Sequence, residues 1–399
     1  MRLNYKPIGD YIKRLKVKNN GASFTRLLGI NINKYFMPSV ANIVGTDLSR
    51  YLIVEPRQFA CNRMHVGRDY RLPVALSNET QPFIISPAYD VFKIKDESQL
   101  LPEYLMMWFS RAEFDRNSWF HTDTDVRGKL GWDSLCEMEL PVPSIEKQRE
   151  IVKEYNVIAN RIKLNEKINQ KLEETAQAIY KHWFVDFEFP NENRKPYASS
   201  GGKMVYNEEL DKEIPEGWAV KKLDEIASIS AGGDKPKLFS AFETGHFKIP
   251  VYSNSSNNNG LFGFATKAKV TKKSITISAR GAIIGFTKMR VKPFYPIVRL
   301  IVVTPNIDYD LNYLFFYLDN LEFDSAASAQ GQLTVPEISF FEILHPSTEI
   351  LKNFNDIYDK ILEKIDLKEI ENHELLRLIT VLLSKIAIVD ITESTLIPE

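Results

Sequence analysis

Residues 140–184, LPVPSIEKQREIVKEYNVIANRIKLNEKINQKLEETAQAIYKHWF, decide how the rest of the chain is read. Pro141 and Pro143 punctuate the start, Ser144 stands where an N-cap belongs, and no Gly or Pro follows until Pro190. Lys147 takes the third helical position, where a capping box would have Glu or Gln. Tyr155, Ile158, Ile162, Asn165, Asn169, Leu172, Ala176, Ile179 and Trp183 alternate at spacings of three and four. That is the a/d seam of a coiled coil, with two Asn among its apolar knobs. Such a helix would extend about 60 Å, too long for the interior of one small domain. It requires a partner.

The partner lies in the same chain. Residues 346–387, PSTEILKNFNDIYDKILEKIDLKEIENHELLRLITVLLSKIA, repeat the pattern 203 positions later. Tyr358 answers Tyr155, Ile361 answers Ile158, Ile365 answers Ile162, Asn372 answers Asn169 and Leu375 answers Leu172. Upstream, Gly128, Leu130 and Pro143 are answered by Gly331, Leu333 and Pro346. One offset held over this span argues for two copies of a module, each a mixed domain followed by a long helix. Two unrelated amphipathic helices are the alternative. If the helices run antiparallel, the domains fall at opposite ends of the rod about a pseudo-two-fold axis, as suits a target with two half-sites.

The formal net charge of -1 over 399 residues conceals a partition. Residues 1–78 carry 13 Lys and Arg against 4 Asp and Glu, and residues 212–304 carry 15 against 6. Residues 305–399 reverse this, with 6 against 18. The opening of each module is therefore basic, and the parts leading into and containing the helices are acidic. One basic segment reads as solvated surface; the same asymmetry in both repeats points to a polyanion contacted at two places.

Before each helix the pattern is strand-rich. YLIVE, QFACNRMHVG, PVALS, PFIIS and YDVFKIK are separated by Pro, Gly or Asn, and a helix is expected over 100–120. In the second module SITISARGAIIGFTKMR, YPIVRLIVVTP and LNYLFFYLDNLEF take the corresponding places. Residues 188–213, rich in Asn, Pro, Ser and Gly and without periodicity, read as a surface linker.

Catalytic constellations are absent from the sequence. It holds no GxxxxGK[ST] phosphate loop and no GxGxxG, and its six His are scattered without metal-ligand spacing. SPAY at 86–89 resembles the Pro-Pro-aromatic motif of adenine methyltransferases, but Ala88 replaces the second Pro and no cofactor-binding glycine loop accompanies it. Neither catalytic nor metal-ligating residues are assigned. Two cysteines, Cys61 and Cys136, form no paired framework and fit a reducing cytoplasm. The N-terminus has no signal-peptide pattern, and no stretch is apolar enough to span a membrane.

Binding chemistry is better represented. In the second module Lys235 and Lys237 are candidates for phosphates, and Asn254, Asn257, Asn258 and Asn259 carry amides of the kind that read adenine edges. An ordinary polar turn is the competing reading of the Asn run. In the first module the comparable set is Arg26, Asn31, Lys34, Asn62, Arg63, His65 and Arg68. Arg63 and Arg280 stand at equivalent places after a strand, so they rank first, unless each anchors its own turn through backbone carbonyls.

Four stretches carry a family resemblance. ELPVPSIEKQREIV (139–152), AIYKHWFVDFEFP (178–190), IPEGWAVKKLDEIASISAGGDKP (214–236) and FACNRMHVGRDYRLPVA (59–75) with SPAYDVF (86–92) resemble the specificity subunit of type I restriction-modification systems. Lys368 stands where Asn165 stands in the first helix, and the second helix lacks an HWFVDF-like exit. The resemblance implies an α+β chain of two tandem target recognition domains, 1–143 and 214–345. Two helices, 144–187 and 346–388, would form an antiparallel coiled coil, and 188–213 would be the linker. It implies a non-catalytic reader of a bipartite target in double-stranded DNA, monomeric when alone. Two methyltransferase subunits using S-adenosylmethionine would dock on it, as would restriction/translocase subunits using ATP and Mg. A self-contained DNA methyltransferase and a stand-alone DNA-binding or coiled-coil regulator are the alternatives.

Overall fold

A computed structural model describes residues 5–39, 45–64, 66–122, 128–321, 323 and 332–387. The chain divides into two compact units, one of residues up to Glu166 with those from Glu369 onward, the other Lys167–Lys368.

In the first unit β1 (Ile12–Leu15), β2 (Phe59–Cys61), β3 (Val74–Leu76) and β4 (Asp90–Ile94) form an antiparallel sheet ordered β1-β4-β2-β3. Side chains alternate across it, as the pleat requires. Ile12, Phe59, Cys61, Val74, Phe92 and Ile94 point into one core with the helices, while Leu15, Ala60 and Val91 point into a second with Leu52, Val54, Phe83 and Ile85. The sheet is thus covered on both faces, and its strands are apolar almost throughout. The expected helix over 100–120 is two, Pro102–Phe109 and Ala112–Phe120, because Arg111 between them is extended (φ -77°, ψ 140°).

The second unit repeats this plan. Its strands β5 (Ala227–Ala231), β6 (Ser274–Ile277), β7 (Thr287–Arg290) and β8 (Ile301–Pro305) take the order β5-β8-β6-β7. Equivalent hydrogen bonds fix the correspondence between units. Lys95 N donates to Tyr11 O at 2.8 Å and Asn306 N to Ile226 O at 2.9 Å. Leu130 N donates to Arg63 O at 3.0 Å and Leu333 N to Ala279 O at 2.8 Å. The Tyr104 hydroxyl donates to Pro141 O, and Tyr313 makes the same bond to Leu344 O. These bonds equate Arg63 with Ala279, so the sequence pairing of Arg63 with Arg280 is one residue out of step. A slip of one residue in a strand puts a side chain on the opposite face.

Helix α1 (Ile145–Tyr180) begins where expected, with Ser144 Oγ accepting from Lys147 N at 3.3 Å, and ends in a π-helical turn over Lys181–Val185. Helix α2 runs Thr348–Lys385. At 1.5 Å per residue each is roughly 55 Å long. Neither is a domain of its own, because each gives one half to each unit. In the first unit Ile151 and Tyr155 of α1 enter one core with Ile379, Leu382 and Leu383 of α2 and Ile386 just beyond it. In the second, Leu172, Ala176, Ile179 and Tyr180 share a core with Leu351, Phe354, Tyr358, Ile361 and Ile365. Residue numbers rise along one helix as they fall along the other, so within each unit the halves are antiparallel.

The polar seam positions meet. Asn165, fully buried, donates from Nδ2 to Asn372 Oδ1 at 2.8 Å, and beside it Arg161 Nε bonds Glu371 Oε1 at 2.6 Å. Ile158, Ile162, Asn169 and Leu375 are half-buried along the same faces. The segment 188–213, expected as a surface linker, is largely exposed, and parts of it are folded. Phe187 and Phe189 are buried against Trp218, Phe189 stacks on Tyr197 at 4.5 Å, and Met204–Asn207 pairs with Lys212–Pro215 as a hairpin. Aromatic residues among the Asn and Pro supply the apolar area that a solvated linker would lack.

A buried Asn pair fixes register at a cost in stability. The double substitution Asn165→Leu/Asn372→Leu is expected to raise the melting temperature by a few degrees, and Asn165→Leu alone to raise it less or lower it. Calorimetry on the three proteins checks this, and an unchanged melting temperature in the double variant counts against the pairing.

Candidate nucleic-acid interface

In the first unit a cleft of about 400 Å³ opens beside the end of β1 and the start of β4. Arg14, Lys16, Lys18, Arg50 and Lys129 line it with Tyr89, and the one carboxylate in its wall, Asp90, is occupied. Asp90 is buried and accepts from Arg63 Nε at 2.6 Å and from Arg14 Nη2. Arg63 is itself buried and donates its Nη1 to Leu130 O. The local fold explains the crowding: Gly67 and Gly128 pass so closely that a Cβ on Gly67 would stand 2.6 Å from Gly128 Cα. That approach brings the chain around Leu130 against the end of β2. With Asp90 neutralised, the wall of the cleft is strongly positive, the electrostatics that gather phosphate oxygens.

Most candidates in the first module have other duties. Arg63 is an internal anchor, since its guanidinium is spent on Asp90 and a carbonyl, the competing reading of that residue. Lys34 is likewise withdrawn: its ammonium is buried, pairs with Asp115 at 2.7 Å and bonds Phe109 O. Burial depresses its pKa, and Asp115 opposes the fall. Asn31 Oδ1 holds the turn at Asn33 N at 2.8 Å, and Asn62 Oδ1 does the same at Met64 N at 3.1 Å. Arg26 and Arg68 are exposed but paired, with Glu79 at 2.6 Å and Asp69 at 2.7 Å. His65 lies outside the described residues.

In the second unit the Asn-rich loop divides. Asn254 is structural: Oδ1 accepts from Ala279 N at 2.6 Å and Arg280 N at 3.2 Å, and Nδ2 donates to Arg280 O at 3.0 Å. Its amide clamps the turn after β6 and has little left for a base. Asn257, Asn258 and Asn259 stay exposed on a short 3-10 turn, the last two left-handed at φ 48° and 51°. Arg290 supports them from within, donating to Asn259 O at 2.7 Å while its guanidinium lies 3.6 Å over Tyr252. Arg280 projects into solvent, held by Asn254 through its backbone. Lys235 sits 3.5 Å over the Phe239 ring, a cation held on an aromatic shelf, and Lys237 is exposed beside it.

Similarity to known proteins agrees with this arrangement. A family model described as "Type I restriction modification DNA specificity domain" matches residues 215–377. The HindI type I restriction enzyme specificity subunit of Haemophilus influenzae is 24% identical, covering 95% of this chain and 97% of that protein. The MjaIX specificity subunit of Methanocaldococcus jannaschii is 29% identical over 59% of the chain, which spans 57% of the archaeal protein's length. The fold is that of a type I restriction-modification S subunit from M. genitalium in its crystal structure, at TM-score 0.56 and 16% identity, covering 96% and 95% of the two chains. The chain is similar in sequence to the type I specificity subunits, and it has the fold of one.

Burial pushes the Cys61 thiol well up, and the neighbouring Asp90 adds to the shift, so it is no nucleophile at neutral pH. Among the described residues no group of three or more His, Cys, Asp or Glu is placed to hold a metal ion, and no helix is long and apolar enough to cross a membrane. Reasoning from sequence passed over Arg14, Lys16, Lys18, Arg50 and Lys129. For Arg14, Lys16 and Lys18 the signal in the sequence is the density of positive charge in YIKRLKVK, residues 11–18.

The two kinds of Asn should part on substitution. Asn254→Ala loses three hydrogen bonds to a turn and is expected to cost about 1–3 kcal/mol, whereas Asn257→Ala on the exposed turn should fall within about 0.5 kcal/mol of the parent. Urea titrations measure both, and equal costs would contradict the division.

Proposed function

We propose that this chain is the DNA-specificity subunit of a type I restriction-modification complex, each unit reading one half of a bipartite duplex target. The observation that carries this is the cleft of the first unit, whose cations have few internal partners, set beside a second unit of the same plan that presents Arg280, Lys235, Lys237 and Asn257 to Asn259. The cations would hold the phosphate backbone, and the exposed amides and guanidinium would meet base edges. The helices would fix the gap between half-sites and carry the methyltransferase and restriction/translocase subunits on their outer faces. S-adenosylmethionine, ATP and Mg would then be used by those partners, in the cytoplasm, with none required by this chain.

Co-expression with a methyltransferase subunit, followed by mapping of modified adenines, tests the reading. A bipartite motif with a constant gap, methylated on both strands, is expected; a contiguous motif would leave one unit without a reading role. The cleft makes a further claim. Lys16→Glu/Lys18→Glu should weaken duplex binding by about tenfold or more at low salt, and reduce the slope of log K against log salt by roughly two. Fluorescence anisotropy across a salt series reads both quantities, and an unaltered slope would remove the cleft from the interface.

A further inference from the structure

The two units allow a comparison that isolates one group. Fixed by the paired hydrogen bonds and strand registers, Arg14 corresponds to Ile229, Arg63 to Ala279, Asp90 to Ile301 and Trp132 to Val335. In the first unit these four form a charged cluster: Asp90 binds both guanidiniums, and Trp132 lies under them at 5.0 Å from Arg14 and 5.7 Å from Arg63. In the second unit the same four positions are apolar, with Ala279 and Ile301 buried. The scaffold therefore closes without the cluster. A buried ion pair is seldom more stabilising than apolar residues of similar volume, because desolvation offsets the Coulombic gain. Stability of the fold does not account for a carboxylate and two guanidiniums here.

Geometry suggests what does. Arg63 is sealed inside, but the Arg14 side chain keeps 36% of its surface exposed and forms part of the cleft wall. Asp90 holds one edge of the Arg14 guanidinium, Trp132 supports its face, and the remaining N–H groups are left for the cleft. A guanidinium immobilised in this way loses little side-chain entropy on meeting an acceptor pair.

We propose that Arg14 is a DNA-contacting, specificity-determining residue of the first unit, with Asp90, Arg63 and Trp132 as positioning residues that hold its guanidinium toward a pair of acceptor oxygens or nitrogens on the duplex. The inference rests on the DNA-reading function above and adds the group that performs it. Two sources on DNA offer such a pair: the oxygens of a phosphodiester, and O6 with N7 of a guanine.

The test uses the chain assembled with its methyltransferase subunits and a duplex carrying the motif that the unmodified complex methylates. Arg14→Ala leaves Asp90 paired with Arg63 and should fold, yet bind the duplex about tenfold more weakly. Arg14→Lys should recover little of this, since one ammonium cannot hold Asp90 and span an acceptor pair. A four-fold graft of the second unit's residues, Arg14→Ile, Arg63→Ala, Asp90→Ile and Trp132→Val, should keep its melting temperature and lose affinity as Arg14→Ala does. The methylation map separates the sources. Relaxation at one base of the first half-site, with the second half-site unchanged, supports a guanine contact, and a uniform loss across sequences supports a phosphate contact. Arg14→Ala binding within twofold of the parent, with the same motif methylated, overturns the proposal while leaving the general reading intact. A parent complex that neither binds nor methylates any duplex overturns both.

Discussion

Two long helices whose apolar stripes cannot be buried by either helix alone set the main constraint on this molecule. The stripe of α1 is covered by α2 together with core residues of each unit, and that cover is split. Leu383 and Ile386, near the end of the described chain, complete a core otherwise built from residues before 156, and Tyr5 donates to Ala387 O at 3.0 Å. The first unit is therefore not finished until the last helix has been made. The halves are also not free to slide. The Asn165–Asn372 pair and Gln148, which is buried and bonded to Leu101 N and to the Gln99 and Pro143 carbonyls, define where α1 stands in the first unit. Such register-fixing groups suit helices that must hold a spacing.

Much of this plan was legible in the residues, and the reason is periodicity. A 3-4 apolar repeat over forty residues has few structural solutions, and its recurrence after 203 positions makes a second module hard to escape. Strand segments bounded by Pro and Gly were readable for the same reason. The failures share a different physics. Lys34 and Asp115 are 81 residues apart, and nothing local in either announces that they pair inside the protein. Arg63 was matched to Arg280 because like residues attract alignment, whereas the hydrogen-bonded frame equates it with Ala279. Within 188–213 the exposed Asn, Pro and Ser fit a surface linker, while Phe189, Tyr197 and the nearby Trp218 fold part of it by stacking. Composition records what a segment can tolerate in water; burial depends on what lies opposite.

The charge partition is a property of whole segments, not of the individual cations within them. Net charge is a sum, and the sum survives when some members turn inward, as Arg63 and Lys34 do. Locating the surface required knowing which of the remaining Arg and Lys lack a carboxylate partner, and that is a tertiary fact. Arg26 and Arg68 look in sequence like Lys16 and Lys18, yet they sit in surface ion pairs with Glu79 and Asp69. Exposed pairs of that kind are weak, on the order of 0–1 kcal/mol, so they remain available to a stronger anion but are less committed to one.

The two units show how one scaffold can hold different surfaces. Their four-stranded sheets agree in order, and the tyrosines equivalent to each other bond equivalent carbonyls. What differs lies at the strand ends and in the loops: a charged cleft at β1 and β4 in the first unit, an Asn turn braced by Asn254 and Arg290 in the second. A pleated sheet fixes its neighbours through backbone bonds that are indifferent to side chains, so the same frame accepts Asp90 in one unit and Ile301 in the other. The energetic consequence is local, because each position is closed by its own three or four neighbours. Divergence between the units then needs no change in the sheet frame, and the charged cluster of the first unit is one place where they have diverged.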